Sequence, residues 1–428
     1  MGTKIAIKSD KLTPFGGIFY VLDQFDRFIG RRVDTELGLR CSSYGYQYSE
    51  IFRALFSVFL CGGTRIEDIN AYLKDDLLSR PNTKIPSSDT ILKGISELAT
   101  DNIEYSSSKN NTYSFNPATK LNDLMVKLLL ETGQLKKNQP YDVDFDHQFI
   151  ETEKYDAKRT YKHFKGYGPG VTTINGLPVH IENRDGNTNV RFMQEETLKR
   201  MFANLENNGL KVRRFRADCG SYTQKVVTCA LKHAEFIYIR AERCASLYEK
   251  VKKRTDWETV EINNETYQVR SFPFDSFEGV EHCRLVVQRQ KRKSNEQLDL
   301  FDGEYTYRCI LTNDWNMQDE QVIRYYNERG ACERVFDQMN NDFGWSALPK
   351  SFMNENAVFL LITAMAHNFY HYLVSIPLMA LFGIEPTSRI KRFIFKFISV
   401  PAKWIKTART YMLKFYTSRP YDKMFALE

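Results

Sequence analysis

Asp142, Asp144 and Asp146 alternate with Val143 and Phe145 in the segment YDVDFDHQFIE. In a strand this spacing puts all three carboxylates on one face. Asp218 closes an apolar and basic run, RFRADCGSY, where Gly220 lets the chain turn sharply. Glu333 lies in YYNERGACERVFDQMNND, a helical pattern. A strand carboxylate, a second one at the end of a neighbouring strand and a helix glutamate are what two-metal phosphodiester chemistry needs. Two divalent ions about 4 Å apart hold the attacking and leaving oxygens of one phosphate. Magnesium prefers oxygen ligands and keeps several waters, so few carboxylates suffice. Taken singly, each residue has a plainer reading: a solvated strand face or a calcium loop, a turn cap, a surface ion pair. Their joint order is what points to catalysis.

Other chemistries find little support. The eight cysteines form no CxxC pair, which argues against a zinc site and fits a reducing cytoplasm. Among the histidines only His367 and His371 have metal-ligand spacing, and no carboxylate stands between them, so they read as core residues. No GxSxG, P-loop or GxGxxG segment occurs. The net charge of +7 suits a polyanionic partner. The first residues lack the apolar core of a signal peptide. Residues 357–382 are apolar and long enough for a membrane span. His367, Asn368, His371 and Tyr372 in the middle make a buried helix the better reading, so no membrane is expected.

The elements around the carboxylates follow from periodicity. Residues 45–135 read as mainly helical, with apolar positions at Ile51, Leu55, Phe56, Phe59 and Leu60. Thr64 with Glu67 forms a candidate capping box, and Pro86-Ser87-Ser88-Asp89 a further helix start. Short helices with tight turns suggest a helix-turn-helix DNA reader or a plain bundle. From residue 141 strands and helices alternate, which predicts an α/β sheet: GPGVTTING, LPVHIEN, 211–217 and 235–240 as strands, 224–233 as a helix. Residues 244–312 carry β-rich runs without helical periodicity.

Tyr326, Arg329 and Glu333 make Y-x2-R-x3-E. This resembles the signature of the cut-and-paste DDE transposases of bacterial insertion sequences, in the subgroup whose first strand reads D-x-D. The resemblance covers roughly residues 45–375. It implies a ribonuclease-H-like core interrupted by a β-rich insertion, with a helical N-terminal DNA-binding region and a helical, basic C-terminal tail. The expected segments are 1–135, 136–243, 244–315, 316–383 and 384–428. It implies catalytic and metal-binding roles for Asp144, Asp218 and Glu333, with two Mg2+ ions or Mn2+ in their place. Asp144 is chosen by register against the family's D-x-T, with Asp142 and Asp146 as alternatives. On one helix face, Arg329 would hold a DNA phosphate and Tyr326 would donate to the same strand. The signature's final lysine is Asn340 here, so that contact is weaker or comes from Lys350. The partners implied are double-stranded DNA, as element ends and target, and a second copy on DNA, acting in a bacterial cytoplasm at the nucleoid. A catalytically inactive DNA-binding derivative and a nuclease without strand transfer are the alternatives.

Two surface features stand apart from the core. The tail interleaves ten Lys and Arg residues, from Arg389 to Lys423, with Phe393, Trp404 and Tyr416. Gln297, Leu298, Leu300 and Phe301 form Q-L-x-L-F, which resembles the clamp-binding peptide of bacterial replication proteins and implies a sliding-clamp partner.

Overall fold

The computed structural model describes residues 3–6, 10–41, 44–242, 245–291 and 305–426. The chain groups into two compact units, one of Met1–Thr100, Lys127–Leu135 and Gln338–Glu428, the other of Asp101–Val126 and Lys136–Asp337.

The second unit is built on one mixed sheet. Its strands are β1 (Ile103–Ser106), β2 (Thr112–Asn116), β3 (Pro140–His147), β4 (Gly170–Ile174), β5 (Leu177–Arg184), β6 (Lys211–Ala217), β7 (Ala234–Arg240), β8 (Glu258–Ile262), β9 (Glu265–Pro273), β10 (Arg284–Lys291) and β11 (Tyr305–Thr312). They lie in the order β1-β2-β5-β4-β3-β6-β7-β11-β10-β9-β8. The strands β3, β6 and β7 run parallel, while β4 is antiparallel to both β3 and β5. On β3, Val143 and Phe145 are buried and the aspartates take the other face. All of β5 is buried, as a strand covered on both faces requires.

Helix Gln194–Asn207 buries Leu198, Met201, Phe202 and Leu205, one apolar stripe at helical spacing. Helix Gln224–His233 starts where Thr223 Oγ1 accepts from the Val226 amide at 3.4 Å. The β-rich segment 244–312 departs from the sequence reading in two ways. Residues Ala245–Lys252 are helical. The strands β8–β11 also continue the main sheet, joined through β11 antiparallel to β7. Their apolar face, with Val260, Ile262, Val269 and Val286, packs on Val322, Ile323 and Tyr325 of helix Asp319–Asn327. The insertion therefore fixes the helix that leads into the Y-x2-R-x3-E motif.

In the first unit, helices Ile18–Phe25, Tyr48–Leu60 and Met353–Ser375 meet through Phe25, Phe56 and Phe369, with ring centroids 5.3–6.0 Å apart. Met353–Ser375 is long and apolar enough to cross a membrane, but most of it is buried in the protein. His367 and His371 both set Nε2 on Gln338 Oε1, at 2.7 and 3.2 Å, and burial lowers both pKa values. Helix Ser88–Leu98 begins as expected, capped by Ser87. The Thr64 cap is a correction: the Asp68 carboxylate takes the Thr64 and Arg65 amides, at 2.7 and 3.1 Å. The tail also differs from the helical expectation. After a short helix, Ala402–Thr407 and Thr410–Phe415 pair as an antiparallel hairpin, the period-2 pattern of AKWIKT and TYMLKF.

Candidate active site

The parallel pairing of β3 with β6 sets three acidic rungs against a second alternating series, Arg214, Arg216 and Asp218. Asp142 lies opposite Arg214, and Asp144 opposite Arg216. At the first rung the Asp142 carboxylate is 3.6 Å from Arg214. At the second, Arg216 grips buried Asp144 with two bonds, Nε to Oδ1 at 2.5 Å and Nη2 to Oδ2 at 2.8 Å. Its third arm donates to the Tyr325 carbonyl at 2.6 Å. Both guanidinium groups lie over the Tyr325 ring, 4.7 and 4.5 Å from its centre. Burial pushes the Asp144 carboxyl up, against the pull of Arg216.

One step further along both strands the arginine is missing. Asp146 and Asp218 line the same cavity. Burial, and then the Asp146 charge, raise the Asp218 carboxyl above its ordinary range. Asp218 Oδ1 also accepts from the Gly220 amide at 3.0 Å, and a Cβ on Gly220 would stand 3.0 Å from that oxygen and 2.9 Å from Val190 Cγ2. Glycine is needed here for the close approach, more than for an unusual backbone angle.

The Y-x2-R-x3-E motif comes to these two aspartates. Arg329 Nη1 donates to Asp146 Oδ2 at 2.9 Å and is attracted by Asp218. Tyr326 donates to the Ala217 carbonyl at 3.2 Å, and burial pushes its hydroxyl up to about 12. That hydroxyl props the end of β6. The single helix face expected for the motif is broken: Asp319–Asn327 ends, a 3-10 turn spans Glu328–Gly330, and a second helix spans Ala331–Asp342. Glu333 stands exposed on that second helix. Among the described residues no three Asp, Glu, His or Cys side chains are gathered closely enough to hold a cation. Asp146 and Asp218 thus come together, and Glu333 stays apart from them.

Of the other expected residues, Lys350 belongs to the first unit and pairs with Glu355 at 3.0 Å. Gln297, Leu298, Leu300 and Phe301 lie outside the described residues. The described cysteines are free thiols. The sequence holds the residues that distinguish the surroundings of Asp146 from those of Asp144, and the register of β6 lines them up. Reading D-x-D-x-D against R-x-R-x-D in parallel register pairs two aspartates with arginines and leaves the third facing an aspartate.

Two carboxylates that share one arginine suit a divalent cation, which hard oxygen donors favour. The sequence matches the family of transposase DDE domains, group 1, over residues 36–427. A comparison with curated proteins returns no match. Among solved structures, the chain is similar to a piggyBac transposase in a synaptic complex with hairpin DNA, determined by cryo-EM. It is 13% identical to that protein, covers 90% of this chain and 78% of that one, and gives a TM-score of 0.46. The family match takes in both aspartates, the arginine between them and the glutamate that follows, and the chain belongs to the DDE transposases of group 1.

Proposed function

We propose that the metal-binding carboxylates are Asp146, Asp218 and Glu333, with Asp146 in the place first given to Asp144. The observation that carries this is the third rung. Asp142 and Asp144 each face an arginine of β6, whereas Asp146 raises the Asp218 carboxyl by its charge and takes its arginine, Arg329, from the Y-x2-R-x3-E motif. A carboxylate already held by a bidentate guanidinium would have to break that pair to take a metal, leaving a buried Arg216 unpaired. Asp146 holds Arg329 by a single bond on Oδ2 and the His147 amide on Oδ1, at 2.9 and 2.8 Å, and Arg329 has a second use. Its planar fork suits a DNA phosphate once Asp146 turns to a cation. Tyr326 and the Gly220 turn hold the end of β6, and so fix Asp218. Glu333 lies in the first turn of the helix after the Glu328–Gly330 turn, and in this reading that turn moves to bring it to the aspartates.

The order β5-β4-β3-β6-β7, with β4 alone reversed, supports the ribonuclease-H-like core. Two Mg2+ ions, or Mn2+ in their place, would supply activation of the attacking oxygen and stabilisation of the leaving one. The substrate is double-stranded DNA: the ends of a mobile element are cut, and the freed 3′-hydroxyl attacks a second strand. Two ends need two active sites, so the working form is a homodimer on DNA, at the bacterial nucleoid. The N-terminal helices read the element ends, and the β8–β11 insertion attends the cut ends. A sliding-clamp contact through Leu300 and Phe301 is a separate proposal, tested by titrating purified clamp against a Leu300→Ala, Phe301→Ala variant.

The test of the metal assignment is Mn2+ binding by the full chain, followed by electron paramagnetic resonance. Asp146→Ala and Asp218→Ala should each lower the affinity at least 10-fold, and Asp144→Asn should leave it within about 2-fold, a metal ligand's loss being costly. The reverse pattern, with Asp144 controlling Mn2+, would restore the first assignment.

A further inference from the structure

The tail hairpin, Ala402–Thr407 with Thr410–Phe415, is a two-stranded sheet of its own. It is held at its base. Ala402 bridges to Thr13, Trp404 meets Phe19 edge-on with ring centroids 5.5 Å apart, and Phe415 stacks on Tyr421 at 4.4 Å. The register puts Ala402, Trp404 and Lys406 on this anchored face, opposite Phe415, Leu413 and Tyr411. The other face consists of three cross-strand pairs: Lys403 with Lys414, Ile405 with Met412, and Thr407 with Thr410. Thr407, Thr410 and Lys414 are exposed, and Met412 is 56% exposed. Among the described residues no strand pairs with either edge beyond the bridge at Ala402.

The charge of this ribbon has one sign. From Ala402 to Arg419 the sequence carries Lys403, Lys406, Arg409, Lys414 and Arg419, with no Asp or Glu among them. Of these cations only Lys403 has an ion-pair partner among the described residues, Asp10 at 3.5 Å. Lys403 and Lys414 stand directly opposite each other, and like charges in that arrangement destabilise a sheet. A polyanion laid across the face removes that cost. A second copy of the chain would add the same cations instead. A bilayer surface needs a broad apolar face, and this one offers Ile405 and Met412 alone, between polar pairs. Duplex DNA fits both the charge and the shape. Its major groove, about 12 Å wide, admits a two-stranded ribbon. Strands of six residues reach about 20 Å along it.

We propose that the solvent face of this hairpin is a second DNA-binding surface, a β-ribbon seated in the major groove. Lys406, Arg409 and Lys414 hold phosphates on the groove walls, and Thr410 and Met412 meet base edges, as a hydroxyl and an apolar group can. The proposal rests on the DNA substrate proposed above and is independent of which carboxylates hold the metal.

The test uses the full chain without divalent metal and one mixed-sequence duplex in two forms. One has plain cytosine, and the other has glucosylated hydroxymethylcytosine, whose sugar fills the major groove. A variant combining Lys406→Gln, Arg409→Gln and Lys414→Gln should bind the plain duplex about 10-fold more weakly at low salt, the scale of a few lost phosphate contacts. Glucosylation should weaken binding more in the wild type than in this variant, and the difference between the two losses belongs to the hairpin. Lys414→Gln alone should weaken DNA binding, yet leave the melting temperature without DNA unchanged or higher, because it removes the like-charge pair. Equal affinity of the triple variant and the wild type for the plain duplex overturns the proposal. An equal loss on glucosylation in both overturns the seating in the groove. A lower melting temperature for Lys414→Gln would make that lysine a structural residue and remove the argument from charge. A chain that cuts element-end DNA with Mg2+ while the triple variant binds like wild type keeps the catalytic reading and loses the ribbon. If the variant loses duplex affinity and the wild type never cuts, the ribbon stands and the catalytic reading fails.

Discussion

Three carboxylates spaced two apart on β3 differ in their partners because of what β6 sets against them. Asp144 is neutralised in place by Arg216, and its loss would leave a buried guanidinium with one bond, to the Tyr325 carbonyl. Breaking such a pair from one side costs about 3–5 kcal/mol. Asp144→Ala should therefore lower the stability of the metal-free protein by about 3 kcal/mol in urea unfolding, and a change under about 1 kcal/mol would contradict the buried pair. Asp218 behaves oppositely. Burial and Asp146 raise its carboxyl above the ordinary range, so the folded, metal-free protein holds that proton more tightly than the unfolded chain. The stability this brings is present below the unfolded carboxyl pKa and is lost as pH rises through the folded one. Asp218→Asn should then stabilise the metal-free protein relative to wild type by about 0.5–2 kcal/mol at neutral pH, the range common for relieving a strained site. The gain should shrink as the pH falls below the raised pKa. An advantage that stays constant with pH would show that the carboxyl is not the cause.

At the scale of elements, much was legible beforehand. The strand Lys211–Ala217, the helix Gln224–His233 and the start of helix Ser88–Leu98 follow from alternation, helical spacing and a serine cap. Three things were not legible, each for a physical reason. The helix break at Glu328–Gly330 falls inside a run with unbroken helical spacing, where only Gly330 hints at it. The pairing of β11 with β7 is a long-range contact that strand patterns do not specify. The tail hairpin reads as helical from sequence because its basic and aromatic residues suit either period when counted without regard to alternation. The choice among Asp142, Asp144 and Asp146 needed the register of a second strand. Gly220 is the element-level test of that register, since an added Cβ would press on Asp218 Oδ1 and Val190. Gly220→Ala should reduce DNA cleavage at least 10-fold by shifting Asp218, with a stability loss of only about 1–3 kcal/mol, as for other overpacked sites. Normal cleavage by a folded Gly220→Ala protein would mean that Asp218 does not need this turn.

For the whole molecule, a DDE transposase with a net charge of +7 works on a polyanion, and affinity for DNA should fall steeply with salt. The tail hairpin presents Lys406 above Tyr411 and Lys414 above Tyr416, with Arg409 at its turn. If the hairpin touches DNA, replacing Lys406, Arg409 and Lys414 by Glu should reduce the slope of log affinity against log salt by about 0.9 per lost phosphate contact. A slope equal to wild type assigns the hairpin to another role. The central claim is that this chain cuts and joins DNA at Asp146 and Asp218. It is tested most directly by incubating the full chain and Mg2+ with the DNA flanking its own gene and a target plasmid, then sequencing excised ends and joined products. The account predicts excision and strand transfer by the wild type and by Arg329→Lys at a reduced rate, and neither product from Asp146→Asn, although that variant still binds the end DNA. Excision and joining by Asp146→Asn at the wild-type rate would contradict it.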